Sequence, residues 1–347
     1  LMANQNIRTP RFYTDLINYH RARGSAIGSV TATNASNGFV GLPTSNNVGD
    51  LLDLRPLNQV TFDTSADTDG HVLFNFTFSS SSYKQTYVAI LNHNLNSCDG
   101  RFKIFAGNAS SDITALNGAN AETSDINWSS AGATEIVNAD TIAASDSNKT
   151  VTVTPASDGS TILTFNETNL RYWAIQFEGD TAWDSSTDFK LGGVMIGEHF
   201  DMPQSPDLQL TRRIHYDKVD IQESLGGQRF ANATSFGRTA SSTSKSPFSL
   251  GTYGQTTYGG RIIYDMNFSF LQASDLLPNE TTVYQFANDS VISDAWNLTD
   301  GPHRPFIFSI DNTSTGSNAE SEHMFARFNQ DSLDMQQVAP DVYNINL

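Results

Sequence analysis

This sequence predicts an all-β protein, and three observations carry that expectation. The run Thr86-Tyr-Val-Ala-Ile-Leu-Asn-His-Asn-Leu95 is apolar until it stops at Asn92-His93-Asn94. An alternating run, Gly100-Arg-Phe-Lys-Ile-Phe-Ala-Gly107, follows a few residues later, so the segment reads as strand, polar loop and return strand. The same arrangement recurs along the chain, with no helix-period segment of comparable strength between. Finally, charged residues make up 16% of the chain, below the roughly 25% of ordinary globular proteins. Ser, Thr, Asn and Gly fill the gap, and they favour turns and exposed strand faces over helices.

The 347 residues are too many for one ordinary β-domain and suit two β-rich domains. Residues 1–37 read as an N-terminal arm. Arg8, Arg11, Arg21 and Arg23 stand there against the single acid Asp15, interleaved with Phe12, Tyr13, Leu16, Ile17 and Tyr19. Two uses fit: an arm packed on its own domain, or one reaching a neighbouring acidic subunit. A short helix is expected near residues 10–20.

Residues 38–203 read as a β-sandwich or jelly roll, with strands expected at 59–64, 71–79, 87–91, 101–106, 150–154, 161–166, 171–178 and 189–199. Val72, Phe74, Phe76 and Phe78 alternate with His71, Leu73, Asn75 and Thr77, so one face of that strand is aromatic. Tyr172 and Trp173 fall on opposite faces. Gly192-Gly193 marks a bulge or a close backbone approach. A polar insertion, 110–147, has Trp128 in its middle.

Asp201-Met-Pro-Gln-Ser-Pro-Asp207 reads as a linker, because each proline holds the preceding residue extended. Residues 204–347 form the second, smaller β-rich domain. Its strands are expected at 209–214, 218–223, 261–271, 305–310, 324–328 and 342–347, with one helix in 274–288 and a loop over 241–255.

A net charge of −17 argues against nucleic acid as a partner, since phosphate contacts need a basic surface. No stretch approaches the 18 or so apolar residues of a membrane span. Cys98 is the sole cysteine, which rules out an intrachain disulfide. The start, Leu1-Met-Ala-Asn-Gln-Asn-Ile-Arg, lacks the apolar core of a signal peptide. The 14 arginines against 6 lysines favour fixed bidentate contacts at interfaces, although drift in base composition explains the ratio equally well.

No catalytic motif is present: no nucleophile elbow, phosphate loop, zinc-helix motif or dinucleotide fingerprint. No enzyme is therefore expected, although acids are numerous enough that a glycosidase-type carboxylate pair stays open. No cofactor is expected either, apart from a structural Ca²⁺ reading of Asp63, Asp67 and Asp69, whose carboxylates precede Gly70. The alternative there is a solvated turn. Asn92, His93 and Asn94 could hold sugar hydroxyls, with Trp128 and Trp183 as sugar platforms, or the three side chains could close their loop on backbone groups, as Asn commonly does.

The segment Val88-Ala-Ile-Leu-Asn-His-Asn-Leu95 resembles a strand-loop of tailed-bacteriophage virion proteins that carry a discoidin-like jelly roll. The same holds for Gly197-Glu-His-Phe-Asp-Met-Pro203-Gln-Ser-Pro206. Leu210-Thr-Arg-Arg-Ile-His-Tyr216 through Glu223-Ser-Leu-Gly-Gly-Gln-Arg229 is similar to the portion that follows the jelly roll in tail and tail-tip proteins. The resemblance covers about two-thirds of the chain in short patches, and the insertion 110–147 has no counterpart in it.

It implies a structural virion protein that forms or decorates a ring near the distal tail or baseplate. Its partners would be further copies and other tail proteins. Such a protein would be made in the host cytoplasm and reach the outside by lysis. Arg212 and Arg213, with the arginines of the N-terminal arm, would form subunit seams through carboxylate pairs. The competing reading is a carbohydrate-binding module that attaches to the host surface, followed by a polysaccharide hydrolase.

Overall fold

A computed structural model describes residues 8–23, 28–31, 48–79, 83–110, 128, 135–145, 150–215, 220–231, 261–277, 291–314 and 322–347. Most of the insertion 110–147, the loop at 241–255 and most of the helix expected at 274–288 lie outside them. Among the described residues strands predominate and the helices are short, so the all-β expectation holds. No helix among them is long and apolar enough to cross a membrane.

The chain begins with β1 (Arg11–Tyr13), α1 (Leu16–Ala22) and β2 (Gly28–Thr31). Strands β3 (Val60–Phe62), β4 (Val72–Thr77), β5 (Gln85–His93) and β6 (Gly100–Gly107) follow. Next come β7 (Glu135–Val137), β8 (Ala139–Ser145), β9 (Thr150–Pro155), β10 (Gly159–Thr168) and β11 (Tyr172–Gly179). The stretch expected as one strand at 189–199 is broken into β12 (Phe189–Leu191), β13 (Gly193–Gly197) and the start of β14 (His199–Asp201).

The glycines explain the first break. A Cβ at Gly192 would collide with the Pro56 carbonyl oxygen, so the close backbone approach read from the sequence is present. A Cβ at Gly197 would likewise strike the carbonyl oxygen of Thr14, which lets the β1–α1 corner lie directly on β13.

Two antiparallel sheets build a β-sandwich-like body. One has the order β2-β4-β11-β6-β9-β8 and the other β13-β5-β10-β7. Their facing sides share one core: Phe74, Phe76, Phe102, Ile104, Trp173, Ile175 and Phe177 from the first, and Val88, Ile90, Leu163, Phe165, Val194 and Ile196 from the second. The alternation in β4 therefore does what the sequence predicts. Leu73 falls on the opposite face, in a small cluster with Phe105, Ala174 and Tyr172, while Trp173 points inward.

A third sheet, β14-β1-β20-β21, lies against the outer side of the second. It contains β20 (Phe306–Ser309) and β21 (His323–Ala326). Tyr13 and Ile307 cluster with Tyr87, Ala89, Leu91, Ile162 and Met195, and the Tyr13 ring meets Tyr87 edge-on at 5.0 Å. Strand β5 is thus covered on both faces, which is why all nine of its residues are buried.

The third sheet draws strands from residues 1–37, 38–203 and 204–347 alike. β1 pairs with β14 (Phe12 opposite Phe200) and with β20 (Phe12 opposite Phe308). The helix expected at 10–20 is corrected by the structure: residues 11–13 are an inner strand, and α1 starts at Leu16. Asp15 caps α1 by accepting from the Ile17 and Asn18 backbone amides.

The remainder comprises β15 (Thr211–His215), β16 (Ile221–Glu223), β17 (Arg229–Ala231), β18 (Arg261–Asp265) and β19 (Asn267–Gln272). After them come α2 (Ala273–Leu276), α3 (Val291–Leu298), β22 (Met335–Ala339) and β23 (Val342–Asn346). The stretch expected as one strand at 261–271 divides into β18 and β19 at Met266.

Candidate functional site

The predicted site residues fall into three groups. The first is interior. Asn92, His93 and Asn94 are all buried. Asn92 sits at φ 47°, a left-handed conformation that Asn tolerates, at a bulge opposite Ser160. Its side-chain amide donates to the Pro56 carbonyl at 2.7 Å, and its backbone amide donates to Ser160 Oγ at 2.9 Å. Asn94 donates to the Asp188 carbonyl at 2.8 Å and accepts from the Lys190 amide at 2.6 Å.

His93 Nδ1 accepts from the Leu95 amide, which assigns the proton to Nε2 and makes it the donor to Thr161 Oγ1 at 2.9 Å. Burial lowers the His93 pKa to about 4, so the ring is neutral at physiological pH. These side chains close the loop on backbone groups. The sugar-binding role is corrected, because burial removes the three residues from any ligand arriving from solvent.

Trp128 and Trp183 are corrected in the same way. Trp128 is buried edge-on against Phe165 at 5.3 Å. Trp183 stacks on Phe189 at 5.4 Å and donates its indole N–H to the Gly70 carbonyl at 2.7 Å. Neither ring presents a face to a sugar.

The second group is the acidic turn. Asp67 and Gly70 close it through backbone bonds to Thr64 and Asp67, and the Trp183 amide bonds the Thr68 carbonyl. Among the described residues no group of three or more His, Cys, Asp or Glu side chains is placed to hold a metal ion. Asp63, Asp67 and Asp69 are not brought together as ligands.

The third group is the arginines. Arg8 donates to Thr313 Oγ1 at 3.0 Å and lies 3.8 Å from Asp311. Arg21 bonds the Leu52 carbonyl at 3.0 Å. Arg23 pairs with Asp300 at 2.9 Å and lies over the Tyr19 ring at 3.6 Å. Arg11 is buried and grips Asp201 with two bonds, of 2.5 and 2.8 Å. Burial opposes both charges of that pair. Their mutual attraction and hydrogen bonds outweigh it, so the Asp201 pKa is lowered and that of Arg11 raised. All four arginines of the predicted arm thus have partners in their own chain.

Arg212 and Arg213 lie elsewhere. They occupy β15, which pairs with β18, and Arg213 bridges to Asp265. Beyond them β16 and β17 form a hairpin, turned by Ser224–Gln228 with Gly227 at φ 80°. Every described residue from Thr211 to His215 and from Asp220 to Ala231 is exposed. Among these are Ile214 (53%), Ile221 (59%), Phe230 (56%) and a fully exposed Leu225. The expectation of strands at 209–214 and 218–223 located this surface, but a strand pattern carries no mark of what would cover it.

The chain matches no protein-family model, no curated protein and no solved structure.

Proposed function

We propose that this protein is a structural, assembly-type component of a tailed-bacteriophage particle, working near the distal tail or baseplate. On this reading the β15–β18 ribbon and the β16–β17 hairpin are the contact surface. The observation that carries it is that β15 and the whole β16–β17 hairpin are exposed, with Ile214, Ile221, Leu225 and Phe230 among their residues. An isolated two-stranded hairpin is marginal in water, so exposed strands that carry apolar side chains suit a contact surface.

The resemblance of residues 88–95, 197–206, 210–216 and 223–229 to tail proteins supports the placement in the particle. Charge supports the same use. In a chain of net −17, copies repel one another, and β15 carries Arg212 beside an Arg213 that is paired with Asp265 of β18. A surface of this kind docking on a different surface of the next copy closes into a ring when the rotation permits.

Light scattering and negative-stain imaging of the full chain at moderate salt test the proposal. Discrete rings are expected, and L225S combined with F230S should reduce them to monomers that stay folded. A wild-type monomer that does not change mass with concentration, and does not associate with tail proteins, would overturn it.

A further inference from the structure

We propose that the cleft where β1, β10 and β14 meet binds a neutral, hydroxyl-rich ligand of the size of one monosaccharide unit. The cleft has a volume of about 280 Å³, and Arg11, Thr86, Thr164, Asn166, Glu167 and His199 line it. That volume is just below the range typical of small-molecule pockets, so it fits a single sugar ring better than an extended chain.

The chemistry of the lining narrows the ligand class. Each formal charge is paired within the protein: Arg11 with Asp201, and Glu167 with Lys84 at 3.1 Å. An anionic ligand would face Glu167 and a cationic one Arg11, so charge favours neither. The exposed rim of the cleft carries the Glu167 carboxylate and the Asn166 amide, with the buried Arg11 guanidinium and the Thr86 and Thr164 hydroxyls behind them. A hydroxyl that donates and accepts at once suits that mixture.

His199 forms part of the wall. Its backbone amide is held by Thr86 Oγ1 at 2.8 Å, and its ring Nδ1 is buried away from the opening. Burial first, and then the Arg11 charge, lower the His199 pKa to about 4, so the wall carries no second positive charge at pH 7. The cleft is also preorganised: Arg11 is fixed by its two bonds to Asp201, and its strand is locked between β14 and β20.

The proposal is independent of the assembly reading, since no residue of the exposed ribbon or hairpin lines this cleft. Saturation-transfer NMR and calorimetry on the full chain would use glucose, galactose, N-acetylglucosamine and rhamnose, with sialic acid as the anionic comparison. Millimolar binding of at least one neutral sugar is expected. E167Q and N166A should each weaken it about tenfold or more, as expected when a hydrogen-bonded partner is lost. Both variants should keep the wild-type unfolding midpoint and the wild-type mass in solution. Absence of binding by all four sugars, binding unchanged in both variants, or a preference for sialic acid would each overturn the proposal.

Discussion

The sandwich and the exposed ribbon-hairpin region are written in the same local language and end in opposite environments. In β4, alternation places Phe74 and Phe76 in a core that Trp173 and Phe177 complete, and each of these side chains is at most 1% exposed. In β15–β17, branched and aromatic residues also occur at strand spacing, yet Ile214, Ile221, Leu225 and Phe230 stay in solvent. Among the described residues, five of the ten exposed large apolar ones (these four and Leu208) fall within residues 208–231, so the exposure is concentrated there. Local pattern decides that a segment is extended, while burial depends on a second surface, which the sandwich supplies from its own chain.

The largest test of that contrast is in the core. W173A should lower the unfolding free energy by about 3–5 kcal/mol, measured by urea denaturation, because it opens a cavity between two packed sheets. A loss below about 1 kcal/mol would mean that the two sheets do not pack as described.

Acid should act on the same side of the comparison. His93 titrates near 4 when folded and near 6.5 when unfolded. Its contribution is complete above pH 6.5 and is lost as the pH falls through 4, the loss reaching about 2 kcal/mol at pH 5. His199, and His20, whose burial and nearby arginines lower its pKa to about 4, act in the same direction. Asp15 opposes them. Burial raises its pKa to about 6, so its contribution is present at low pH and lost as the pH rises through 6. Urea midpoints at pH 7 and pH 5 should show a net loss in acid, and H93Q should flatten that slope.

R11A leaves Asp201 without its partner at the junction of β1 and β14. A loss of about 2 kcal/mol is expected, below the figure for a fully buried pair because the Asp201 side chain is 34% exposed. Hydrogen exchange should show the third sheet opening before the sandwich. The smallest effect on stability belongs to the exposed region. F230S should change the unfolding free energy by no more than about 0.5 kcal/mol. A large loss of stability in the isolated chain would mean that Phe230 is already packed.

Much of the sandwich was legible. The period-2 pattern of β4, the opposite faces of Tyr172 and Trp173, and the glycine pair at 192–193 are local features, and each reads directly from residue spacing. β1 was not legible. Arg11-Phe12-Tyr13 is too short to show a period, and it is a strand because β14 and β20 flank it from about 190 and 295 residues away. The cleft lined by Arg11, Thr86, Glu167 and His199 is equally hidden, since it gathers four distant stretches that share no motif. The polar loop Asn92-His93-Asn94 misled in the other direction, because polar residues at a strand end look available until their backbone partners are placed.

By itself, then, the sequence determined the extended conformations and the faces of the longer strands. Each of these follows from chain-local sterics or from alternation. The tertiary structure alone decided that β5 is covered on both sides and that the N-terminal arginines are satisfied within the chain. It alone decided that β15 and the β16–β17 hairpin stand exposed. Those outcomes depend on which distant surfaces meet, and burial is a property of that meeting rather than of the segment that becomes buried.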